Sequence, residues 1–402
     1  MSQARTLEQQ ATLKVVSALG LAIWVIVAAF PLFWISVMSI KLPVDAFSSS
    51  PLQVVFGDTT RRMSNGVSSV WVIAAVAVIL LCHFGLRRLG AFVEKLRLTG
   101  RGGGARFLVW MFFVAAAGAF AVFVLPLIVR GLEAALATVP VLSALSRPLF
   151  GYTGEHYHAV WVDHTFYRQF FNSMIVTAGV VAVSLSVGTL AGYGLARTRT
   201  NLAFWLLLVA LVFRALPHSV LVAGYLPAFI GSREMLAPLW TNAVTGPVLR
   251  LFSDVAPTLY GQPWAVIAVL VAINQPFTIW MLRSFFANIP AELDEAARVD
   301  GCSHFEAFRR VIIPVMWPGV ITAGLFSFLL AYNDYLVTGL LLDAQSLTMV
   351  PAISQFLNSN NTAADQLQAI AAAVSITAPL FLLVLVFQRQ LVGGLTQGAV
   401  KG

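Results

Sequence analysis

The feature that most constrains this chain is a series of apolar runs, each close to the length of helix that crosses a lipid bilayer. A transmembrane helix needs about 20 consecutive apolar residues. About eight runs approach that length, at residues 17–40, 70–86, 107–129, 170–195, 201–222, 263–285, 319–341 and 369–387. The pattern predicts an all-α integral membrane protein with about eight transmembrane helices.

The composition supports the membrane class. Only 10% of the residues are charged and 59% are hydrophobic, whereas soluble proteins carry roughly 25% charged residues. The first run is longer than the apolar core of a signal peptide and lacks a small-residue cleavage site, so we expect a retained helix. Cys82 lies in an apolar run and Cys302 in a polar loop, so no disulfide framework is predicted.

The net charge of +8 suits nucleic acid as a partner, but the positions of the cations favour a topological origin. Cytoplasmic loops of membrane proteins are enriched in Lys and Arg. With both termini in the cytoplasm, the loop between the second and third runs is also cytoplasmic. It contains a cluster of cations: Arg87, Arg88, Lys95, Arg97, Arg101 and Arg106. The basicity therefore indicates topology, and no nucleic-acid partner is predicted.

Three segments of the chain differ in their pattern of apolar and polar residues. Residues 1–60 contain a cytosolic start, the first apolar run and its exit on the outer side. Residues 61–150 form a plain apolar hairpin, whose tri-glycine loop lacks the preceding strand and the Lys-Ser/Thr ending of a phosphate-binding loop. Residues 151–402 alternate apolar runs with short polar motifs, including a cytosolic loop at about 290–318. We treat the last segment as the functional core.

Small residues recur every four positions in the fourth run, at Ser184, Gly188 and Gly192. They share one helical face, where small side chains permit close approach of another helix. The neighbour belongs either to this chain or to a partner chain.

The loop at 290–318 carries strong helix signals. Pro290 suits a first helical turn, and Asp300-Gly301 ends that helix because glycine readily adopts the left-handed conformation. Ser303 and Glu306 have the spacing of a capping box that begins a second helix. Pro314 and Pro318 are expected to end or bend it. The sequence predicts a helix–turn–helix elbow.

The elbow is expected to present Ala296, Ala297 and Phe308 as small and apolar contact points surrounded by charge. Such a surface suits a socket on a soluble partner. The alternative is an interfacial helix on lipid, with Arg298, Arg309 and Arg310 facing the headgroups.

These motifs resemble a known family. "EAARVDG" followed by "VIIP" is similar to the E-A-A loop of membrane subunits of bacterial ABC importers, whose pattern is E-A-A, three residues, Gly, nine residues and Ile-x-Leu-Pro. Five further motifs resemble the carbohydrate branch of the family, and the smaller membrane subunit of the maltose-importer type. They are "FFNSMIVTAG", "AGYGLAR", "QPFTIWMLRSFFANIPAELDEAA", "YNDY" and "QRQLVGGLTQGAVKG". The resemblance covers the first run with "SIKLPVDAF" and about 155–402, but not 61–150.

The resemblance implies a type I importer permease core of six helices in the inner membrane, with residues 61–150 as an inserted hairpin. It implies four kinds of neighbour: a second homologous permease subunit, two ATP-binding subunits, an extracytoplasmic solute-binding protein and lipid. ATP and Mg would be bound by the ATPase subunits, and this chain would hold no cofactor, metal or catalytic residue. The residues implied to couple it to the ATPase are Glu295, Ala296, Ala297, Asp300, Gly301, Phe308 and Pro314.

Polar residues inside apolar runs are costly and often functional. Planar amides, carboxylates and aromatic faces suit a hydroxyl-rich solute, so we assign a substrate pathway to Arg214, His218, Asn274, Gln275, Tyr332, Asn333 and Asp334. The structural alternative is that Arg214 and Asp334 pair with each other or cap neighbouring helices.

Two other functions compete with an importer. A secondary transporter usually has repeated broken helices, and the sequence shows no such repeat. An intramembrane enzyme needs a nucleophile or a metal, and the cluster His156, His158, Asp163 and His164 lacks the spacing of a zinc site. The expected solute is a mono- or oligosaccharide or a polyol derivative, and Arg214 also leaves room for an anionic sugar.

Overall fold

The computed structural model describes residues 2–98, 116, 118–139, 143–198, 201–215, 218–251, 256–358 and 362–399. Over these residues the chain is almost entirely helical, with one two-stranded sheet. It divides into two compact units, residues 1–156 and 157–402. The predicted helical membrane class is confirmed in its coarse form, and the two-stranded sheet is a departure from an all-α chain.

The first unit begins with α1 (Ser2–Met38) and ends with a short strand. Its elements are α1, α2 (Pro43–Ala46), α3 (Pro51–Phe56), α4 (Asp58–Met63), β1 (Asn65–Ser68), α5 (Ser69–Leu98), a π-helical turn (Phe120–Val124), α6 (Leu125–Ala137), α7 (Ser143–Ser146) and β2 (Pro148–Tyr152). The two strands pair antiparallel, with Gly66 opposite Gly151. The sheet therefore joins the two ends of segment 61–150.

A buried carboxylate organises the chain after α1. Asp45 is fully buried and accepts hydrogen bonds from the backbone N–H of Thr60 at 2.6 Å, from its hydroxyl at 2.8 Å and from Gln53 at 3.2 Å. Burial alone raises the pKa of Asp45, but the hydrogen bonds from Thr60 and Gln53 outweigh it and hold that pKa below its ordinary value. Buried Lys41 donates to the carbonyl of Gly151, so side chains tie this segment to β2.

The second unit contains the predicted core. Its elements, with α8 at the boundary, are α8 (Glu155–His158), a π-helical turn (Ala159–Asp163), α9 (Tyr167–Arg197), α10 (Asn201–Arg214), α11 (His218–Ile230), α12 (Ser232–Thr241), α13 (Thr245–Arg250), α14 (Pro263–Ala287), α15 (Glu292–Val299), α16 (His304–Ala307), a π-helical turn (Phe308–Ile312), α17 (Ile313–Tyr332), α18 (Leu336–Leu341), α19 (Met349–Asn358) and α20 (Ala363–Ala399).

Among the described residues, six helices are long and apolar enough to cross a membrane: Leu13–Met38, Tyr167–Arg197, Val220–Thr241, Pro263–Ala287, His304–Tyr332 and Ala363–Gln388. Outward-facing apolar side chains such as Trp24 and Phe381, 69% and 67% exposed, suit contact with lipid. Within the predicted run 201–222, α10 ends at Arg214 and α11 begins at His218, and residues 216–217 between them lie outside the described part of the chain. Much of the run 107–129 lies outside the described residues. The number eight stays a prediction.

The small-residue face of α9 packs against α14 of the same chain. Ser184, Gly188 and Gly192 are buried. A Cβ atom added at Gly188 would lie 2.8 Å from a methyl carbon of Thr278, and one added at Gly192 would lie 3.0 Å from Leu282. Glycine therefore permits the close approach of the two helices at these positions, and a larger side chain would force a neighbour to shift.

We predict that Gly188→Ala lowers the free energy of unfolding by about 1–3 kcal/mol, because the added methyl group overpacks the contact with α14. The measurement is thermal unfolding of the detergent-solubilised protein. Gly194→Ala is the matched control, since Gly194 lies on the same helix with no atom within 4 Å of its added Cβ. Equal melting temperatures for the two variants would contradict this packing.

Candidate functional site

The elbow predicted from the sequence is present. After α15, Gly301 adopts a φ of +90°. The N–H of Cys302 donates to the carbonyl of Ala297 at 3.0 Å, and the N–H of Gly301 donates to that of Arg298 at 3.0 Å. This pair of hydrogen bonds is a Schellman motif, which ends a helix and satisfies its last carbonyl groups. The turn is therefore built around Gly301.

The capping box that begins the second helix is also formed. The backbone N–H of Glu306 donates to the hydroxyl of Ser303 at 3.3 Å, and the N–H of Ser303 donates to the Glu306 carboxylate at 3.0 Å. The prolines do not end this helix, however. Pro314 lies in the first turn of α17 and Pro318 inside it, and the helical backbone continues from His304 to Tyr332. Pro314 has no N–H, so this continuous helix lacks the backbone hydrogen bond that residue 314 would donate, directly after the π-helical turn Phe308–Ile312.

The elbow has an inner and an outer face, and two of the predicted contact residues lie on the inner face. Glu295, Ala296 and Asp300 are exposed, but Ala297 and Phe308 are only 5% and 7% exposed. The ring of Phe308 packs 4.8 Å from that of Tyr193, centre to centre, and also contacts Phe286. The expectation that Ala297 and Phe308 face outward is therefore wrong, because both belong to the chain's own core.

Two other apolar side chains of the elbow do face outward. Val299 is 88% exposed and Phe305 is 62% exposed. They flank the turn at Gly301, on either side of it along the chain. We call Val299 and Phe305 the outer apolar pair. Such exposed apolar side chains are available to contact a partner protein or lipid.

A charged contact that the loop motifs do not predict fastens the elbow to the end of α9. Asp294 accepts a hydrogen bond from the hydroxyl of Tyr193 at 2.7 Å and pairs with Arg197, whose Nε atom lies 2.7 Å from the carboxylate. Arg197 also donates to the carbonyl of Ile289 at 3.1 Å. We call Tyr193, Arg197 and Asp294 the α9 anchor. The motif "AGYGLAR" contains two of its members, which was the only available signal.

Asn274 lies at the centre of a buried polar network in the helices. Its amide donates to the hydroxyls of Ser327 at 2.8 Å, Thr278 at 3.0 Å and Ser184 at 3.4 Å. These contacts join α9, α14 and α17. The side chain is 1% exposed, so in this conformation its amide stabilises helix packing.

Gln275 and Tyr332 are also held inside the helical core. The amide of Gln275 donates weakly to the carbonyl of Ser184 at 3.4 Å, and its oxygen is buried without a hydrogen-bond donor. The hydroxyl of Tyr332 donates to the carbonyl of Ile376 at 2.7 Å, and the side chain is 1% exposed. Tyr332 therefore links α17 to α20.

Asn333 and Asp334 lie at a break between helices. The candidate span ends at Tyr332, so Asp334 is not well inside the span as the sequence predicted. Its carboxylate accepts a hydrogen bond from the backbone N–H of Thr338 at 2.8 Å, in the first turn of α18. Asn333 is exposed and donates to the carbonyl of Leu329 at 3.0 Å. Both groups stand where the helix axis is interrupted.

Arg214 is the last residue of α10. Its guanidinium lies over the ring of Phe277, 4.7 Å from the ring centre. Arg214 and Asp334, both described, form no ion pair with each other. His218 begins α11, and its side chain lies outside the described residues.

The histidine cluster before α9 does not assemble into a metal site. His156 contacts the carbonyl of Lys41 through a ring nitrogen at 2.9 Å, whereas His158 lies 3.6 Å from Asp163 in an exposed pair. Within the described part of the chain, no three His, Cys, Asp or Glu side chains are grouped as metal ligands would be.

Comparison with known proteins decides the family. The model of the family described as "Binding-protein-dependent transport system inner membrane component" matches residues 184–397, more than half of the chain and including the elbow. The chain belongs to this family. It is a permease subunit of an ABC importer and a multi-pass inner membrane protein. It is not itself an enzyme, because such systems carry ATP hydrolysis on separate subunits.

Named permeases are similar over most of their length. The trehalose transport system permease protein SugB of Mycobacterium tuberculosis is 30% identical over 252 residues, which cover 62% of this chain and 82% of SugB. The diacetylchitobiose uptake system permease protein DasC of Streptomyces coelicolor is 33% identical, covering 62% and 81%. The maltodextrin transport system permease protein MdxG of Bacillus subtilis is 27% identical, again covering 62% and 81%.

Proposed function

We propose that this permease moves a sugar or sugar-like solute across the inner membrane by alternating access, and that its elbow is the joint on which the ATPase acts. The observation that carries the coupling role is an elbow with an outward apolar pair that is fastened to α9 by a half-buried ion pair. The similarity of the chain to permeases named for trehalose, diacetylchitobiose and maltodextrin transport supports a carbohydrate as the solute.

The partners follow from this role. We propose a second homologous permease subunit, two ATP-binding subunits that hold ATP and Mg, and an extracytoplasmic solute-binding protein. A partner that binds the elbow differently in its two nucleotide states would shift the permease between inward- and outward-facing states, because linkage makes the two equilibria reciprocal. This chain contributes no cofactor site in the proposal.

The elbow residues divide between docking and support. Glu295, Ala296 and the outer apolar pair face outward and are proposed to contact the ATPase. The supporting residues position that surface: Ala297 and Phe308 through the core, Asp300 and Gly301 through the turn, and Pro314 at the junction with α17. A lipid-surface helix is the competing role, since the elbow also carries arginines.

The test of this function is a complete importer in proteoliposomes, assayed for solute-stimulated ATPase activity and for co-purification of the ATPase. We expect the double variant Val299→Asp, Phe305→Asp to lose both, because charges would be buried at the docking surface. Val244→Asp is the control, since Val244 is 78% exposed outside the elbow. Normal stimulation and assembly in the double variant would assign the elbow to the lipid surface instead.

We place the solute pathway at the polar groups near helix breaks. Asn333 and Asp334 interrupt the helix after α17, and irregular backbone is tolerated where it lines a cavity. Arg214 ends α10, and His218 begins α11. Asn274, Gln275 and Tyr332 are packed inside in this conformation, so their pathway role requires the helices to rearrange during transport.

The proposed topology has about eight spans, both termini in the cytoplasm, and residues 61–150 as a hairpin inserted between residues 1–60 and the core at 151–402. The cations on the second half of α5 support a cytoplasmic position for its end.

Cysteine labelling tests this topology in a variant that lacks Cys82 and Cys302. Because α5 is expected to end in the cytoplasm, Arg97→Cys should resist a membrane-impermeant maleimide added from outside. Val44→Cys, at a position that is 65% exposed after α1, should react. Rapid labelling of Arg97→Cys in intact cells would contradict the eight-span arrangement.

A further inference from the structure

Arg214 is a cation without a counter-charge among the described residues. Its Nε atom is buried and has no hydrogen-bond partner, and no described carboxylate forms an ion pair with it. Its contact with Phe277 places it beside the middle of α14, a helix of 25 residues that is long enough to span the membrane. A charge at this depth is costly unless an anion or strong dipoles compensate it.

Arg214 lines an open cavity of about 380 Å³. Tyr225 of α11 and Pro276 of α14 also line it. The cavity is therefore formed by residues of α10 and α11 and by the proline of the neighbouring span, α14. Its size falls within the range of about 300–1,000 Å³ that is usual for small-molecule sites.

The cavity also holds hydrogen-bonding groups suited to hydroxyls. Pro276 has no N–H, so the carbonyl of Ala272, four residues earlier and in the cavity wall, lacks its usual helical donor. The hydroxyl of Tyr225 can donate or accept. The Phe277 ring contacts the guanidinium by a cation–π interaction, and no described group accepts a hydrogen bond from the Arg214 Nε atom.

We infer that this cavity binds the anionic group of an acidic sugar during its passage, a substrate class that rests on the proposed function. A carboxylate, phosphate or sulfonate accepts paired hydrogen bonds from the planar guanidinium and neutralises its charge. A neutral hydroxyl cannot neutralise that charge. The sugar hydroxyls then meet the Ala272 carbonyl and the Tyr225 hydroxyl. Arg214 discriminates acidic from neutral solutes, and the aromatic and aliphatic wall accommodates the apolar face of the ring.

The experiment uses the complete importer in proteoliposomes with its cognate solute-binding protein. The probes are neutral mono- and disaccharides and their uronate, 6-phosphate and 6-sulfonate counterparts, and uptake and thermal stabilisation of the complex are both measured. We expect the best-transported probe to be acidic. In Arg214→Gln its uptake should fall at least about tenfold, the loss expected for a charge-assisted hydrogen bond, and Arg214→Lys should restore part of it.

The control is Arg250→Gln, because Arg250 also stacks on an aromatic ring, Trp240 at 5.4 Å, but lies outside the cavity. Its uptake should equal that of the wild type. The inference is overturned if the best probe is neutral, if no acidic probe is transported or stabilises the complex, or if Arg214→Gln transports the acidic probe normally.

Further outcomes distinguish an acidic-sugar site from a structural ion pair and from a pathway for neutral sugars. If Arg214→Gln fails to assemble while Arg214→Lys assembles, the arginine pairs with a carboxylate of the second permease subunit, which overturns the inference. Uptake of neutral sugars alone overturns the acidic class and leaves the proposed function standing. Failure to bind an ATPase or to move any sugar overturns the proposed function itself.

Discussion

Replacing Gly301 with valine is expected to abolish solute-stimulated ATPase activity while leaving solute binding by the separate binding protein unchanged. The φ of +90° at Gly301 is strained for a β-branched residue, at a cost of roughly 1–2 kcal/mol. An added Cβ meets no atom within 4 Å, so the backbone is the whole cause. Relief of that strain would open the Schellman turn and separate Val299 from Phe305. The measurement is ATPase activity of the reconstituted importer with and without solute.

Gly301→Asn is the matched control, because asparagine tolerates the left-handed conformation better than other side chains. It should retain most of the stimulation. Glu295→Lys tests the same surface without backbone strain: Glu295 is exposed, so a reversed charge there should weaken docking of the ATPase and leave the fold intact. Wild-type coupling in both Gly301→Val and Glu295→Lys would remove the elbow from the mechanism.

The elbow was predictable because its signals are local. Glycine at a helix end and a capping box act over three to five residues, so the sequence alone places the turn and the start of α16. The direction that each side chain faces is decided by distant residues. Phe308 turns inward because Tyr193 and Phe286 offer it a ring-lined site, and that contact is invisible in the spacing of the loop.

Apolar length predicted the long helices well and their interruptions poorly. A hydropathy run continues across a helix break when the residues on both sides are apolar, which is why 319–341 looked like one span. The structure instead interrupts this run at Asn333, and the Asp334 carboxylate accepts a hydrogen bond from the N–H of Thr338 in the first turn of α18. Such caps depend on one polar side chain and leave the average hydropathy almost unchanged.

Asp294→Asn is expected to uncouple the permease through the α9 anchor, without altering the outer surface of the elbow. Arg197 would lose its counter-charge, in a pair whose side chains are 23% and 14% exposed. Breaking a fully buried pair costs about 3–5 kcal/mol, so we expect about 2 kcal/mol here. A movement of α15 imposed by the ATPase would then be transmitted to α9 less completely. ATP hydrolysis should continue while solute uptake per ATP falls.

Tyr193→Phe distinguishes the contribution of the ion pair from that of the tyrosine hydroxyl. It removes only the 2.7 Å hydrogen bond to Asp294 and keeps the ring against Phe308. It should cost about 1 kcal/mol and leave uptake per ATP close to normal. Exchange of the charges in Asp294→Arg, Arg197→Asp should restore part of the coupling that either single change removes. If Asp294→Asn transports normally, the force from the ATPase reaches the spans through the continuous helix from His304 to Tyr332 instead.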